Sequence, residues 1–186
     1  MIISCYQFYQ IPGILDLLGE TTKQFQFNWK AGVNCSVSAD GNSVTSVTGN
    51  WLGTAIGDTT LPKIGIHEFE IKLTKTTSSH VIIGVVPPSV MSNLNAVTEL
   101  DFLNSEAYYF YCYNSTLYSK YGGKQKAYSM KVQQGGRVKL IIDYKDLTVG
   151  FEINGQNFDV TQAFPSGVDL IPFVLFGEQG DVITKL

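Results

Sequence analysis

Charged side chains are scarce in this chain of 186 residues, of which they make up only 16%. An ordinary soluble domain carries about 25%. Disordered chains combine high charge with few apolar residues, whereas apolar residues make up 44% here, so the composition excludes a disordered chain. The net charge of −3 also lacks the basic footprint of a site for phosphate backbones. We therefore expect no nucleic-acid partner.

Cysteine is also rare, and only Cys5, Cys35 and Cys112 are present. An odd number of cysteines without metal-site spacing indicates neither a disulfide framework nor a zinc motif. Free thiols are typical of a reducing compartment, so we expect an intracellular, cytoplasmic protein. The two histidines cannot complete a zinc site, and the paired glycines do not precede a phosphate-binding helix. We expect no metal and no cofactor.

Long apolar runs are absent as well. No stretch approaches the roughly 20 residues that a membrane-spanning helix requires. The first 13 residues contain neither lysine nor arginine, so they lack the positive start of a secretory signal peptide. We expect no interaction with a membrane.

What the chain does contain is a series of short strand patterns. Residues 65–73 alternate polar and apolar side chains, which is typical of a half-buried strand. Residues 81–86 are continuously apolar, as in a strand buried on both faces, and Asn154-Gly155 favours a tight hairpin turn. Turn residues recur every 8–12 positions or so, which indicates an all-β sandwich or barrel.

The same patterns divide the chain. We predict an N-terminal extension, residues 1–24, with a short helix formed by Ile14 to Leu18 and ended by Gly19, followed by one sandwich domain, residues 25–186. The predicted strands cover residues 33–37, 44–47, 65–73, 81–86, 107–113, 117–119, 137–144, 148–153, 157–160, 170–176 and 181–185.

Candidate reactive residues have simpler structural interpretations. Glu68 and Glu70 share one strand face, and paired carboxylates occur in glycosidases, but a polar outer face is the favoured interpretation. His67 falls on the apolar phase of its strand and is expected in the core, while His80 lies in a polar turn. Neither stands near a nucleophile motif, so we expect no catalysis. Among the aromatics, Tyr118 is expected to be exposed at a loop end, where tyrosine suits binding.

Four segments together resemble the SPRY domain family. They are the glycine-histidine-aromatic-glutamate stretch of residues 65–71, the isoleucine-glycine-valine of residues 83–86, residues 140–143 with 150–155, and Ala163-Phe164 with residues 170–174. They occur in the family's order over about residues 25–186. The resemblance implies a bent, two-sheet antiparallel β-sandwich of the concanavalin-like jelly-roll kind. It also implies a domain that binds proteins through loops at one end.

The helix near residues 14–18, Trp29 and residues 34–37 further resemble the start of SPRY-and-SOCS-box proteins. That resemblance implies a partner-binding set of Lys30, Ala31, Gly32, Tyr118, Tyr121, Gly177, Glu178 and Gln179. The chain lacks the arginine and the tryptophan usual in two of these loops, and no SOCS box follows Leu186. We therefore expect neither that subfamily's asparagine-rich peptide preference nor direct recruitment of a ubiquitin ligase.

Three functions follow as hypotheses. The first is a non-catalytic module that binds a protein or short peptide through loops at residues 30–32, 54–62, 118–124 and 177–180. The second is a carbohydrate-binding or glycan-cleaving sandwich of the lectin kind. A calcium site of clustered aspartate and asparagine would favour it, but Asp101 and Asn104 alone are too few. The third is a structural subunit of a multi-protein complex, docked through its N-terminal segment.

Overall fold

The computed structural model describes residues 22–91, 106–120, 122–126 and 130–186. Within them the chain forms fifteen β-strands and a 3₁₀ turn at Pro88–Met91. The predicted N-terminal helix, Tyr121, Asp101 and Asn104 lie outside the described residues. The boundary predicted after residue 24 stays a prediction.

The strands form two sheets. In spatial order, the first sheet contains β13 (Gln156–Ala163), β12 (Thr148–Ile153), β11 (Arg137–Asp143), β6 (Ile66–Lys75), β15 (Val182–Lys185), β4 (Ser43–Ser46) and β3 (Cys35–Val37), with β1 (Lys23–Gln24) beside β6. The second contains β10 (Gly123–Lys126), β9 (Thr116–Ser119), β8 (Tyr108–Tyr111), β7 (Val81–Val86), β14 (Ile171–Phe176), β5 (Gly53–Gly57) and β2 (Trp29–Ala31). All described pairs are antiparallel except β1 with β6.

The inner faces of the sheets enclose the main core. In β6, His67, Phe69, Ile71 and Leu73 are buried while the residues between them are half-buried. The alternation arises because successive side chains of a strand point to opposite faces. The prediction of a core histidine is confirmed, since His67 is 4% exposed and its Nε2 lies 2.9 Å from the carbonyl oxygen of Ile64.

The two central strands of the second sheet, β7 and β14, are buried on both faces, as the continuous apolar run of residues 81–86 predicts. Their inward side chains join the main core. Their outward side chains belong to a second apolar cluster with Tyr109, and this cluster includes Ile82, Phe173 and Leu175. Such strands read as unbroken apolar runs because neither face meets water.

Gly84 allows the aromatic strands to approach β7 closely. It pairs with Phe173 on one side and with Tyr109 on the other, and the rings of these two residues lie 6.4 Å apart. A Cβ added at Gly84 would lie 2.2 Å from the carbonyl oxygen of Tyr108. No side chain fits there, so this glycine is required by the packing.

The chain connections place two sets of loops at opposite ends of the sandwich. The register sets the ends of β4, β6, β8 and β14 beside the starts of β15, β7, β9 and β5. We call this end, which carries the loop at residues 47–52, the Trp51 end. The opposite end carries the loops at residues 58–65 and 144–147 together with Lys120 and Gly122, and we call it the Ile64 end.

We expect Gly84→Ala to lower the free energy of unfolding by about 3 kcal/mol, because the added methyl group meets backbone that cannot move without separating β7 from β8. Urea denaturation measures the change. The matched control is Gly150→Ala in β12, where an added Cβ would meet only Thr161 Cγ2 at 3.3 Å and Val160 O at 3.9 Å. Equal losses in the two variants would show that the close approach at Gly84 is unimportant.

Candidate functional site

Backbone hydrogen bonds join the loops of the Trp51 end into one unit. The amide of Asn50 donates to Gly177 O (2.8 Å), and the amide of Gly177 donates to His80 O (2.7 Å). On the other side, the amide of Val47 donates to Asn34 O (2.8 Å). The loops after β2, β4, β6 and β14 therefore support one another.

An aromatic cluster covers part of this end. The His80 ring stacks on Tyr113 with centroids 4.3 Å apart and meets the edge of Trp51 at 5.6 Å. Trp51 also contacts Tyr111 at 5.5 Å. A Cβ added at Gly177 would lie 2.8 Å from His80 Cβ and 2.9 Å from Trp51 Cε2, so the Trp51 ring and the base of the His80 side chain pack directly against the backbone of the loop after β14.

The loop that carries Trp51 holds two adjacent residues in a rarely populated backbone conformation. Asn50 has φ 61° and Trp51 has φ 60°. For a residue other than glycine the left-handed region costs about 1–2 kcal/mol, so the surrounding contacts must fix it. Strain of this kind concentrates at binding and active sites. The tryptophan is thus held in place at the end of the sandwich.

Asp181 orders the turn that precedes His80. Its buried carboxylate accepts hydrogen bonds from Thr76 Oγ1 (2.9 Å) and from the amide of Thr77 (3.1 Å). Thr76 Oγ1 in turn accepts from the amide of Ser79 (2.9 Å), a residue with φ 66°. Burial raises the pKa of Asp181, with a further increase from Glu178, against the hydrogen bonds that lower it.

Apolar side chains are exposed at this end. Among the described residues the large apolar side chains that are well exposed are Val47, Leu52, Ile64, Tyr113, Met130 and Leu186. Val47 and Leu52 belong to the loop after β4, Tyr113 to the loop after β8, and Met130 to the segment before β11. Four of these six therefore lie at the Trp51 end.

The residues predicted to bind a partner are only partly brought together. Gly32 and the loop of Gly177, Glu178 and Gln179 lie at the Trp51 end, where Gly49 packs against Gly177 and Gln179. Lys30 and Ala31 belong to strand β2 and not to a loop. The grouping of four loops at one end is wrong, because residues 58–62, Lys120 and Gly122 lie at the Ile64 end.

Tyr118 occupies a different place from the one expected. It lies inside β9 and is half-buried, not exposed at a loop end. Its ring stacks on Tyr109 at 5.1 Å on the outer face of the second sheet, because the register pairs the two residues. Its hydroxyl nevertheless reaches the Trp51 end, where it accepts a hydrogen bond from Asn114 Nδ2 (3.1 Å).

Trp51, His80 and Tyr113 are the residues of this site that the sequence interpretation missed. Each is an aromatic ring in or beside a polar turn: Trp51 follows Asn50, His80 follows Ser79, and Tyr113 precedes Asn114. An aromatic side chain in a turn has no sheet partner on its own strand, which distinguishes it from core aromatics. That placement is a usable pattern for finding the site from sequence.

Glu68 and Glu70 lie on the outer face of the first sheet, as expected. Lys139 Nζ lies 3.6 Å from Glu68 Oε2 and 3.4 Å from Glu152 Oε2. Burial acts to lower the pKa of Lys139, but the attraction of these carboxylates outweighs it and the pKa is raised. The two glutamates border an open groove of about 500 Å³, with a cation beside them instead of an enclosed acid pocket.

In residues 22–91, 106–120, 122–126 and 130–186, no three histidine, cysteine, aspartate or glutamate side chains are grouped so that they could hold a metal ion. The same part of the chain contains no helix with the length and apolar character to cross a bilayer.

Comparison with known proteins gives one consistent result. A family model described as the SPRY domain matches residues 66–185, more than half of the chain. Among solved structures, the SPRY domain of human HERC1 is similar with a TM-score of 0.65 at 18% identity, covering 85% of this chain and 93% of that one. The TRIM65 PSpry domain is similar with a TM-score of 0.66 at 14% identity, covering 88% and 91%. No curated protein matches the sequence.

We expect the stability of the native protein relative to Asp181→Asn to depend on pH. Because burial raises the native pKa of Asp181, the native carboxyl takes up a proton more readily than the unfolded one. Its contribution therefore lowers the free energy of unfolding as the pH rises through the native pKa, and is constant above it. The asparagine side chain does not titrate, so the variant lacks this pH-dependent contribution to the free energy of unfolding.

Urea denaturation of both proteins across the acid range measures this difference. The free energy of unfolding of the native protein minus that of the variant should fall as the pH rises and then level off. A difference that stays constant or increases with pH would show that the Asp181 carboxyl is not destabilised as an ion in the native state.

Proposed function

The chain belongs to the SPRY domain family, and from that premise we propose that it binds a protein or short peptide, without catalysis, through the Trp51 end of its sandwich. SPRY domains generally act as protein-interaction modules and are generally non-catalytic. The observation that carries the proposal is the exposed apolar and aromatic surface at this end.

We define the Trp51 surface as Val47, Trp51, Leu52, His80 and Tyr113. Tyr113 is 47% exposed, Leu52 44% and Val47 50%. Aromatic residues that are partly held by neighbours offer a large contact area and lose little side-chain freedom on binding. Aromatic anchors of this kind dominate the energetics of most protein interfaces.

The loops of this surface are ordered before any partner binds. The hydrogen bonds from Asn50 to Gly177 and from Gly177 to His80 fix three loops, and Asp181 fixes the turn before His80. Association loses part of its energy to the ordering of loops and side chains. A surface that is already ordered retains more of that energy as affinity.

We also propose that the module works inside the cell, within a multi-protein complex. Cys35 and Cys112 are free thiols, and burial raises the pKa of both, that of Cys35 to about 12. Thiols without tuned reactivity and without pairing fit a reducing compartment. A module without catalysis would act by holding its partner in such a complex.

Selection from a library of random 12-residue peptides tests the proposal. Peptides recovered on the native protein should bind Tyr113→Ala at least tenfold more weakly, because truncation of a central aromatic anchor costs about 2 kcal/mol or more. Isothermal titration calorimetry gives the affinities. Tyr118→Ala, measured in parallel, decides whether the outer face of β9 belongs to the same site.

The matched control is Ile64→Ala. Ile64 is 79% exposed and lies at the opposite end, so its removal should leave peptide affinity unchanged. Peptides that bind the Tyr113 variant as tightly as the native protein, or a library that yields no binding peptide, would overturn the proposal.

A further inference from the structure

The His80 ring of the Trp51 surface has a polar atom that no hydrogen bond within the described residues uses. Its Nδ1 lies 2.5 Å from the hydroxyl oxygen of Tyr111. Its Nε2 has no hydrogen-bond partner among the described residues and is not one of the buried unpaired atoms. An unpaired Nε2 that is not buried must be in contact with solvent. Nothing in the fold described above uses this atom.

The Tyr111 hydroxyl selects the tautomer of the ring. A phenol is the better donor of the two groups, and an unprotonated imidazole nitrogen is the better acceptor. The Tyr111 hydroxyl is therefore assigned as the donor to Nδ1, and this assignment places the proton of the neutral ring on Nε2. When one imidazole nitrogen accepts a hydrogen bond, the other nitrogen becomes a fixed donor.

The neighbours of His80 hold the direction of this donor. Tyr113 stacks on one face of the ring at 4.3 Å, and Trp51 meets the ring at 5.6 Å. The backbone of His80 is tied to Gly177, and the preceding turn is tied to Asp181. The ring can therefore neither flip nor tilt freely, so Nε2–H has one direction in space.

We propose that His80 Nε2–H donates a hydrogen bond to a backbone carbonyl oxygen of the bound peptide or protein. This inference rests on the proposed function and adds the polar contact that sets the register of the partner. The ring faces of Tyr113 and Trp51 supply apolar contact that tolerates many partners, whereas a donor with a fixed direction accepts only a segment with a carbonyl at the right place. His80 is thus a specificity-determining residue.

The charges near His80 favour a neutral acceptor over a carboxylate. Asp181 is close enough to interact electrostatically with His80 and with Glu178. The Glu178 carboxylate lies beside the same turn, where it accepts from Ser78 Oγ at 3.3 Å. Two acidic groups near His80 would repel a carboxylate of the partner. A backbone carbonyl carries no such penalty, and every peptide provides it.

Two variants test the proposal with the tightest peptide from the library as the probe. His80→Phe keeps the ring contacts with Tyr113 and Trp51 but removes both nitrogens. We expect its affinity to fall about three- to tenfold, the contribution of one neutral hydrogen bond. Tyr111→Phe keeps its ring but releases the tautomer, and long-range ¹H–¹⁵N spectra should show the change from an Nε2-protonated ring to a mixture.

The peptide side of the contact is tested by replacing one backbone amide at a time with an ester, which weakens the carbonyl acceptor. One position should cost affinity on the native protein and cost nothing on His80→Phe. A peptide with an amidated C-terminus should bind as tightly as the free acid, which separates a backbone carbonyl from a terminal carboxylate.

The outcomes separate this inference from the proposed function. If Tyr113→Ala loses binding while His80→Phe binds as tightly as the native protein, the surface is correct and the role of His80 is wrong. An Nδ1-protonated ring in the free native protein would also overturn it. If neither variant affects binding, the proposed function fails as well. Urea denaturation of each variant ensures that a loss of binding is not a loss of folding.

Discussion

Phe110 of the second sheet packs against Phe151 of the first with ring centroids 5.5 Å apart, inside the core that joins the two sheets. The rest of the structure depends on this packing, because a sheet with one apolar face is stable in water only when that face is covered. The requirement fixes which side chains of each strand point inward. Through the register it also fixes where each strand ends, and therefore where each loop lies.

The Trp51 surface is a consequence of that arrangement. The loops after β2, β4, β6, β8 and β14 meet because their strands end at the same edge of the sandwich. Hydrogen bonds among these loops then maintain the left-handed conformation of Asn50 and Trp51, which the loop alone would not adopt. The rigid sheets thus stabilise a strained loop, and the strain places an aromatic ring where a partner can reach it.

Alternation and apolar runs predicted most of the sandwich. Strands β7 and β12 lie at the predicted residues, and β6, β11 and β14 lie within a few residues of the predicted ranges. Four strands, β1, β2, β5 and β10, escaped prediction, and the reasons for β5 and β10 differ. Residues 53–57 contain two glycines that make room for large neighbours such as Phe176, while β10 is an edge strand of glycine, lysine and glutamine with no apolar face.

The site was harder to predict than the fold. Resemblance to the SPRY-and-SOCS-box proteins assigns Gly32 and Gly177 to the partner-binding set, and both lie at the Trp51 end. Tyr118 is assigned to a loop, although its strand continues through it. Trp51 lies outside every periodic pattern, and its place in a turn does not reveal its positive φ, which follows from contacts made by distant loops. Local sequence therefore predicts strands well, but not the tertiary contacts that orient the rings between them.

Hydrogen–deuterium exchange of the native protein, free and with a selected peptide bound, tests the central claim most directly. If the partner binds the Trp51 end, exchange should slow in residues 47–52, 76–80, 112–115 and 177–181 and stay unchanged in the loops of the Ile64 end. Protection of residues 58–65 or 144–147, with none at the Trp51 end, would contradict the account.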